Sequence, residues 1–208
     1  SDLTHLFITL GTANVFKLKS SGMVVSNCHK MPSGLFNSEM VNPKIIFQVM
    51  SAVFEKLWLN NSELKIILTV SPVRYFAFGM HENTVSKSYL FAAIQFLQDE
   101  YKQLSYFPAY EIVMDDLRDY RFYNSDLLHP TTDAINYVWE KFSDSFFNDE
   151  TITLNKDIEK INAALNHRPR NKNTEAHKAF VTATLHQMEK IEKHTGIKFE
   201  QEKQKLLY

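Results

Sequence analysis

Cysteine is almost absent: Cys28 is the one cysteine in 208 residues. An internal disulfide framework is therefore excluded, and the chain suits a reducing compartment. An excess of either charge is missing too. Lys and Arg number 23 against 24 for Asp and Glu, so no strong field draws the chain to nucleic acid or to an anionic membrane. No apolar run approaches the ~20 residues that a membrane-spanning helix needs. No secretory leader is visible, and a cytoplasmic location is the expectation. Internal repeats and low-complexity tracts are absent. The chain opens on Ser1, not Met, which raises the expectation of a fragment or a processed product. What is present is an ordinary globular composition, 44% hydrophobic, in a chain long enough for one sizeable core plus an extension.

Three short apolar runs read as buried strands: "HLFITLG" (5–11), "LKIILTVS" (64–71) and "LSYFPAYEIV" (104–113). Each is too short for a typical helix, rich in β-branched or aromatic residues, and bounded by turn or polar residues. Such near-continuous apolar runs suit parallel strands covered on both faces. Helical patterns lie between them. In 42–61 the apolar repeat is Ile46, Val49, Met50, Val53 and Leu57, with Pro43 in the first turn after Asn42. In 84–103 it is Leu90, Ala93, Ile94 and Leu97, and a third helix opens at Pro130. Strand and helix in alternation imply a right-handed parallel α/β sheet of three strands. The tail differs. "LNKDIEKINAALNHR" and "TEAHKAFVTATLHQMEKIEKHTG" are amphipathic helices separated by "HRPRNKN", and Gly196 stands at a C-cap position. The expected division is an α/β domain over 1–148 and a helical extension over 149–208, whose last residues, "EQEKQKLLY", carry weak packing signals.

Chemistry in an open parallel sheet gathers outside the carboxyl ends of the strands. Four polar segments fall there: "GTANVF" (11–16), "SNCHK" (26–30), "SPVRYF" (71–76) and "RDYRFYNSDLLHP" (118–130). In the last, Asp126 precedes His129 by three residues, and Pro130 sets a helix start just after the histidine. That gap lets the carboxylate accept a hydrogen bond from one ring nitrogen, leaving the other free as a general base. The plainer alternative is that Asp126 caps a turn and His129 merely precedes a proline.

The stretches "ITLGTANVF", "VSNCHKMP", "IILTVSPVR", "ENTVSKSYL", "YFPAYEIVMDDLRDYRFYNSDLLHP" and "NHRPRN…EAHKAF" make the pattern more specific. Through them the chain resembles the GSCFA family, a branch of the SGNH/GDSL-like hydrolases. The resemblance implies a three-layer α/β/α, flavodoxin-like fold in a bacterial protein. It also implies a Ser–Asp–His site for ester hydrolysis or acyl transfer that uses no cofactor. Asp126 and His129 match the family's D-x-x-H block. "GTAN" (11–14) matches the block that reads G-x-N-D in SGNH enzymes, where the Asn donates to the oxyanion. Ala13 takes that place here, so Asn14, which follows it, or Asn27 is the expected substitute. The family's nucleophilic serine lies in a GSCFA segment upstream of "ITLGTA", and the 208 residues contain no such segment. The expectation is therefore that the first strands and the serine lie upstream of Ser1, that the chain as given is a poor hydrolase, and that the open edge of "HLFITLG" pairs in a homodimer.

Other residues keep two readings each. Ser71 ends a strand and is a stand-in nucleophile, or a plain Ser-Pro turn. Cys28 and His29 are a nucleophile with its base, two metal ligands, a structural or substrate contact, or part of a plain surface loop. Zinc sites usually show paired ligand spacing, so no metal is assigned. Arg118, Asp119 and Arg121 alternate with aromatics. They form an ion-pair network that holds the loop, or an arginine grips an anionic or sugar-linked substrate. Gly11 and Arg74 join them as candidate contacts, and Lys87 sits where a helix begins, within reach of the same crevice. His167, His177, His186 and His194 are scattered over the tail helices. Two functions follow. One is an ester hydrolase or acyltransferase acting on a small-molecule or carbohydrate ester. The other is a non-catalytic module that binds a glycan or a protein in the same cleft.

Overall fold

The computed structural model describes residues 3–26, 28, 30–167, 169 and 174–207. Two compact units divide the chain, Ser1–Glu140 and Lys141–Tyr208. The first contains six strands among the described residues: β1 (His5–Leu10), β2 (Asn14–Leu18), β3 (Val24–Val25), β4 (Phe36–Met40), β5 (Lys65–Val70) and β6 (Leu104–Tyr106). β1, β5 and β6 form a parallel sheet in that order, with His5 to Leu10 opposite Lys65 to Val70 and Ile66 opposite Leu104. Strand order in space follows strand order in the chain. Right-handed crossovers then put both connecting helices on one face. Those helices are α1 (Pro43–Asn60) and α2 (Met80–Glu100). Their shared core agrees: Phe54 of α1 and Leu90, Ile94 and Leu97 of α2 pack with Ile66, Leu68 and Val70 of β5.

α1 begins where Asn42 accepts hydrogen bonds from the backbone N–H groups of Lys44 and Ile45, with Pro43 at the first helical position. Its buried stripe departs from the expected one. Ile46, Phe47, Met50, Phe54, Leu57 and Trp58 face the core, whereas Val49 and Val53 are 60% and 51% exposed. The helix is apolar nearly all round, so periodicity alone offers two stripes. The one with three large aromatics, Phe47, Phe54 and Trp58, buries more area, and Trp58 Nε1 also donates to Leu64 O at 2.8 Å. α2 starts after Gly79, whose φ of +106° favours glycine.

The third apolar run is only in part a strand. Pairing stops at Tyr106, and Pro108, which has no N–H to give a ladder, is followed by α3 (Ala109–Glu111) and a π-helical turn over Ile112–Asp116. Val113 of that turn is buried with Leu117 and Ala134. The second sheet lies outside the expectation of three strands. β2 pairs antiparallel with β3 on one side and β4 on the other, between β1 and α1 in the chain. The described residues hold no helix long and apolar enough to cross a membrane.

α4 (Thr132–Phe146) carries the boundary between the units. It begins two residues after Pro130, because Pro130 is paired in an isolated bridge with Tyr123. The second unit holds α5 (Asp149–Asn166), α6 (Glu175–Thr195) and α7 (Glu200–Leu207) around Ile161, Met188, Ile191 and Phe199. Asn148 and Thr174 cap the first two helices, and Gly196 ends α6 in the left-handed conformation. Glu192 accepts hydrogen bonds from Phe199 N and Lys203 Nζ, which ties α7 to α6 and makes a helix of the weakly patterned end.

Candidate active site

Residues 122–131 form a closed loop. Thr131 N donates to Phe122 O at 2.8 Å, and Asn124 N donates to His129 O at 2.8 Å. Inside it Asp126 makes a tight turn. Its Oδ1 accepts from Leu128 N at 2.9 Å and His129 N at 3.0 Å, and its Oδ2 lies 2.6 Å from His129 Nδ1. Leu127 takes a φ of +57° to bring both amides onto one oxygen, a left-handed conformation that is uncommon for a leucine. The backbone N–H groups of His129 and Leu128, and then the imidazole, hold the Asp126 carboxyl down to about 2. The carboxylate stays charged across the neutral range and orients the ring. Both side chains face solvent, with 44% of Asp126 and 61% of His129 exposed. Among the described residues nothing hydrogen-bonds His129 Nε2.

A second polar construction closes the carboxyl ends of β1 and β5. Lys87, on the first turns of α2 and only 2% exposed, donates to Gly11 O and to Ser71 O, each at 2.6 Å. The neighbouring Ser86 accepts from Ala13 N at 2.7 Å and shares a hydrogen bond with Thr12 Oγ1 at 2.9 Å. Asn83 Oδ1 accepts from Tyr75 N at 2.9 Å. One helix thus staples the loops after both strands. The Lys87 ammonium meets carbonyl oxygens, and burial brings its pKa down to about 8. Lys87 is placed near the crevice by its position in the sequence, which gives no sign that Ser86, Thr12 and Asn83 pin the same loops beside it. The one signal in the chain was a polar cluster, "NTVSK", on the inward side of an otherwise apolar helix.

The remaining candidates sort by these two constructions. Gly11 and Ser71 serve the clamp through their carbonyls. The Ser71 hydroxyl accepts from Val73 N at 3.2 Å in a local turn, and no histidine among the described residues bonds it. Asn14 opens β2, and both its backbone N and its Nδ2 donate to Thr12 Oγ1 at 3.1 Å. Asn27 and His29 lie outside the described residues. Cys28 is half-buried and unbridged, and the described residues contain no group of three metal-ligating side chains. Arg74 reaches across to the dyad's loop. Its guanidinium lies 5.8 Å from the centroid of the Tyr123 ring and donates to Met114 Sδ at 3.5 Å. Arg118 is exposed and pairs with Asp115, and Arg121 is exposed over the Phe122 ring at 4.7 Å. The buried ion-pair network offered for this stretch is therefore not what forms. Arg74, Arg118, Asp119 and Tyr123 instead help line a cavity of about 220 Å³.

An oriented imidazole with a free Nε2 can take and return a proton. The clamp fixes the backbone at the strand ends where a substrate would lie. No hydrogen bond among the described residues joins the dyad directly to Asn14 or Ser71. No curated protein and no solved structure matches the chain. A family model described as GSCFA domain protein, C-terminal domain, matches residues 158–207. The GSCFA family model matches residues 1–142, which takes in the strand ends, the Lys87 clamp and the Asp126–His129 turn alike, and the chain belongs to the GSCFA family.

Proposed function

We propose that the α/β unit is the base-bearing part of an ester hydrolase or acyltransferase of SGNH type, on a flavodoxin-like three-layer fold. The observation that carries the reading is the 2.6 Å contact between Asp126 Oδ2 and His129 Nδ1, which leaves Nε2 open. His129 Nε2 takes the proton of the attacking serine as its oxygen bonds the ester carbonyl carbon. The imidazolium then protonates the departing alkoxide. Water, or an acceptor hydroxyl, repeats the step in reverse to release the acyl group. Asn14 Nδ2 spends one hydrogen on Thr12 Oγ1 and keeps a second for the oxyanion, with Asn27 as the other candidate. The family resemblance assigns the serine to the GSCFA segment, which this sequence does not contain. A carbohydrate ester is the substrate class by family analogy.

The test is intact-mass analysis after fluorophosphonate treatment of this chain and of a form that carries a GSCFA segment. Labelling of the extended form alone, abolished by His129→Ala, is the expected result. If neither form is labelled, the hydrolase reading is wrong. A binding module using the same cleft then takes its place, a reading favoured by Ala13 standing where the family enzymes have their oxyanion asparagine.

A further inference from the structure

Beside the small sheet lies a half-open cleft that the dyad and the clamp do not explain. It has about 470 Å³ and is walled by Val15 and Phe16 of β2, Val24 and Val25 of β3, and Tyr75. The polar part of its lining is Thr12, Asn14 and Ser26. No charged side chain lines it among the described residues. The contrast with the cavity beside Arg74 and Arg118 is direct: that one is bounded by two guanidiniums and the Asp119 carboxylate.

Its walls are built before any ligand arrives. Phe78 braces two of them, with its ring 6.3 Å from Phe16 and 5.8 Å from Tyr75. Tyr75 is held by Asn83, and Thr12 by Ser86, so α2 fixes the polar lining as well. β2 is locked by ladders on both sides. A preformed, mostly apolar pocket of this size with a few polar groups is what a small ligand site requires. Charge then selects the ligand. A carboxylate or ammonium group would lose its hydration against Val and Phe side chains with no counter-charge. A sugar ring would strand its hydroxyl groups there for the same reason.

We propose that the cleft lined by β2, β3 and Tyr75 binds a neutral aliphatic acyl chain, its carbonyl end toward Thr12 and Asn14. Naming the chain as the acyl part of an ester rests on the hydrolase reading above. The binding of a neutral apolar group does not. Any sugar of the ester is then the alcohol side, outside this pocket.

The experiment is methyl NMR on the 208-residue chain with labelled valines, titrated with n-alkanamides from butanamide to octanamide. Hexanoate and hexylammonium are the charged controls. The expected result is shifts at the Val15, Val24 and Val25 methyls, with affinity rising about fourfold per added methylene until the pocket fills. The two charged probes should bind at least tenfold more weakly than hexanamide. Val24→Asp changes a rim residue that is 55% exposed. It should weaken hexanamide at least tenfold while the thermal midpoint stays in place. Equal affinity for all three six-carbon probes, shifts confined to other methyls, or indifference to Val24→Asp would each overturn the proposal. Amide binding in the pocket with no fluorophosphonate labelling of any form would sink the hydrolase reading and leave the pocket standing. Ester turnover with no amide binding here would do the reverse.

Discussion

The Lys87 clamp and the Asp126–His129 turn are polar constructions in one α/β unit, and they are held in opposite ways. Lys87 reaches from α2 to partners 76 and 16 residues away, under a layer that leaves it 2% exposed. Asp126 reaches three residues, in a loop open to water. The clamp depends on the whole unit being folded, and the unit depends on it in return. The turn depends on little beyond its own closed loop. Stability and chemistry are therefore expected to separate on substitution, one with each construction.

The largest effect that would sharpen this contrast is on activity. In a form bearing the family serine, His129→Ala should cut ester turnover about 10³-fold or more. Its unfolding free energy in urea should change by no more than ~0.5 kcal/mol, since the ring is exposed. A comparable loss of stability would merge the two constructions into one. Next comes Lys87→Met, which orphans the Gly11 and Ser71 carbonyls. Loss of buried acceptors outweighs relief from burying the ammonium, and a net cost of about 1–3 kcal/mol is expected in urea unfolding. The contrast also has a pH signature. Burial lowers the Lys87 pKa to about 8 in the folded chain, from 10.5 without the fold. Between those values the unfolded state holds the extra proton, so the clamp's contribution rises with pH across that window. The stability gap between the wild type and Lys87→Met should widen from pH 8 to 10.5. A flat gap would mean the ammonium is not desolvated. The smallest effect is at Leu127→Gly. Relief of the left-handed conformation, about 1 kcal/mol, opposes the added chain entropy of roughly 0.4–1 kcal/mol. The unfolding free energy should shift by less than ~0.5 kcal/mol, whereas a loss well beyond that would show the Leu127 side chain packing into something the turn needs.

The same contrast explains what the sequence disclosed. The Asp126–His129 contact spans three residues, so a short motif carries it. Parallel strands over Lys65–Val70 and His5–Leu10 announce themselves by unbroken apolar runs. The clamp carries no such mark, because Gly11, Ser71 and Lys87 meet only once β1 and β5 have paired. The β2–β3–β4 sheet hides for a related reason. β3 is two residues long, and Lys17 of β2 and Asn37 and Ser38 of β4 break the apolar pattern of the other two strands. The run 104–113 misleads because hydrophobicity continues past Pro108 while the backbone turns helical. Val113 is buried as a residue of the π-helical turn, where the same apolar side chain reads as strand. On α1, both stripes are apolar, and only the bulk of Phe54 and Trp58 decides between them.

Strand order that repeats chain order has a consequence for synthesis. Each strand of β1, β5 and β6 is added beside the one made before it, so the sheet can grow in the direction the ribosome delivers it. Gly11, Ser71 and every other partner of the clamp precede residue 88, and a chain emerging that far already owns all the parts. His129 is translated some forty residues later, after every residue that the clamp uses.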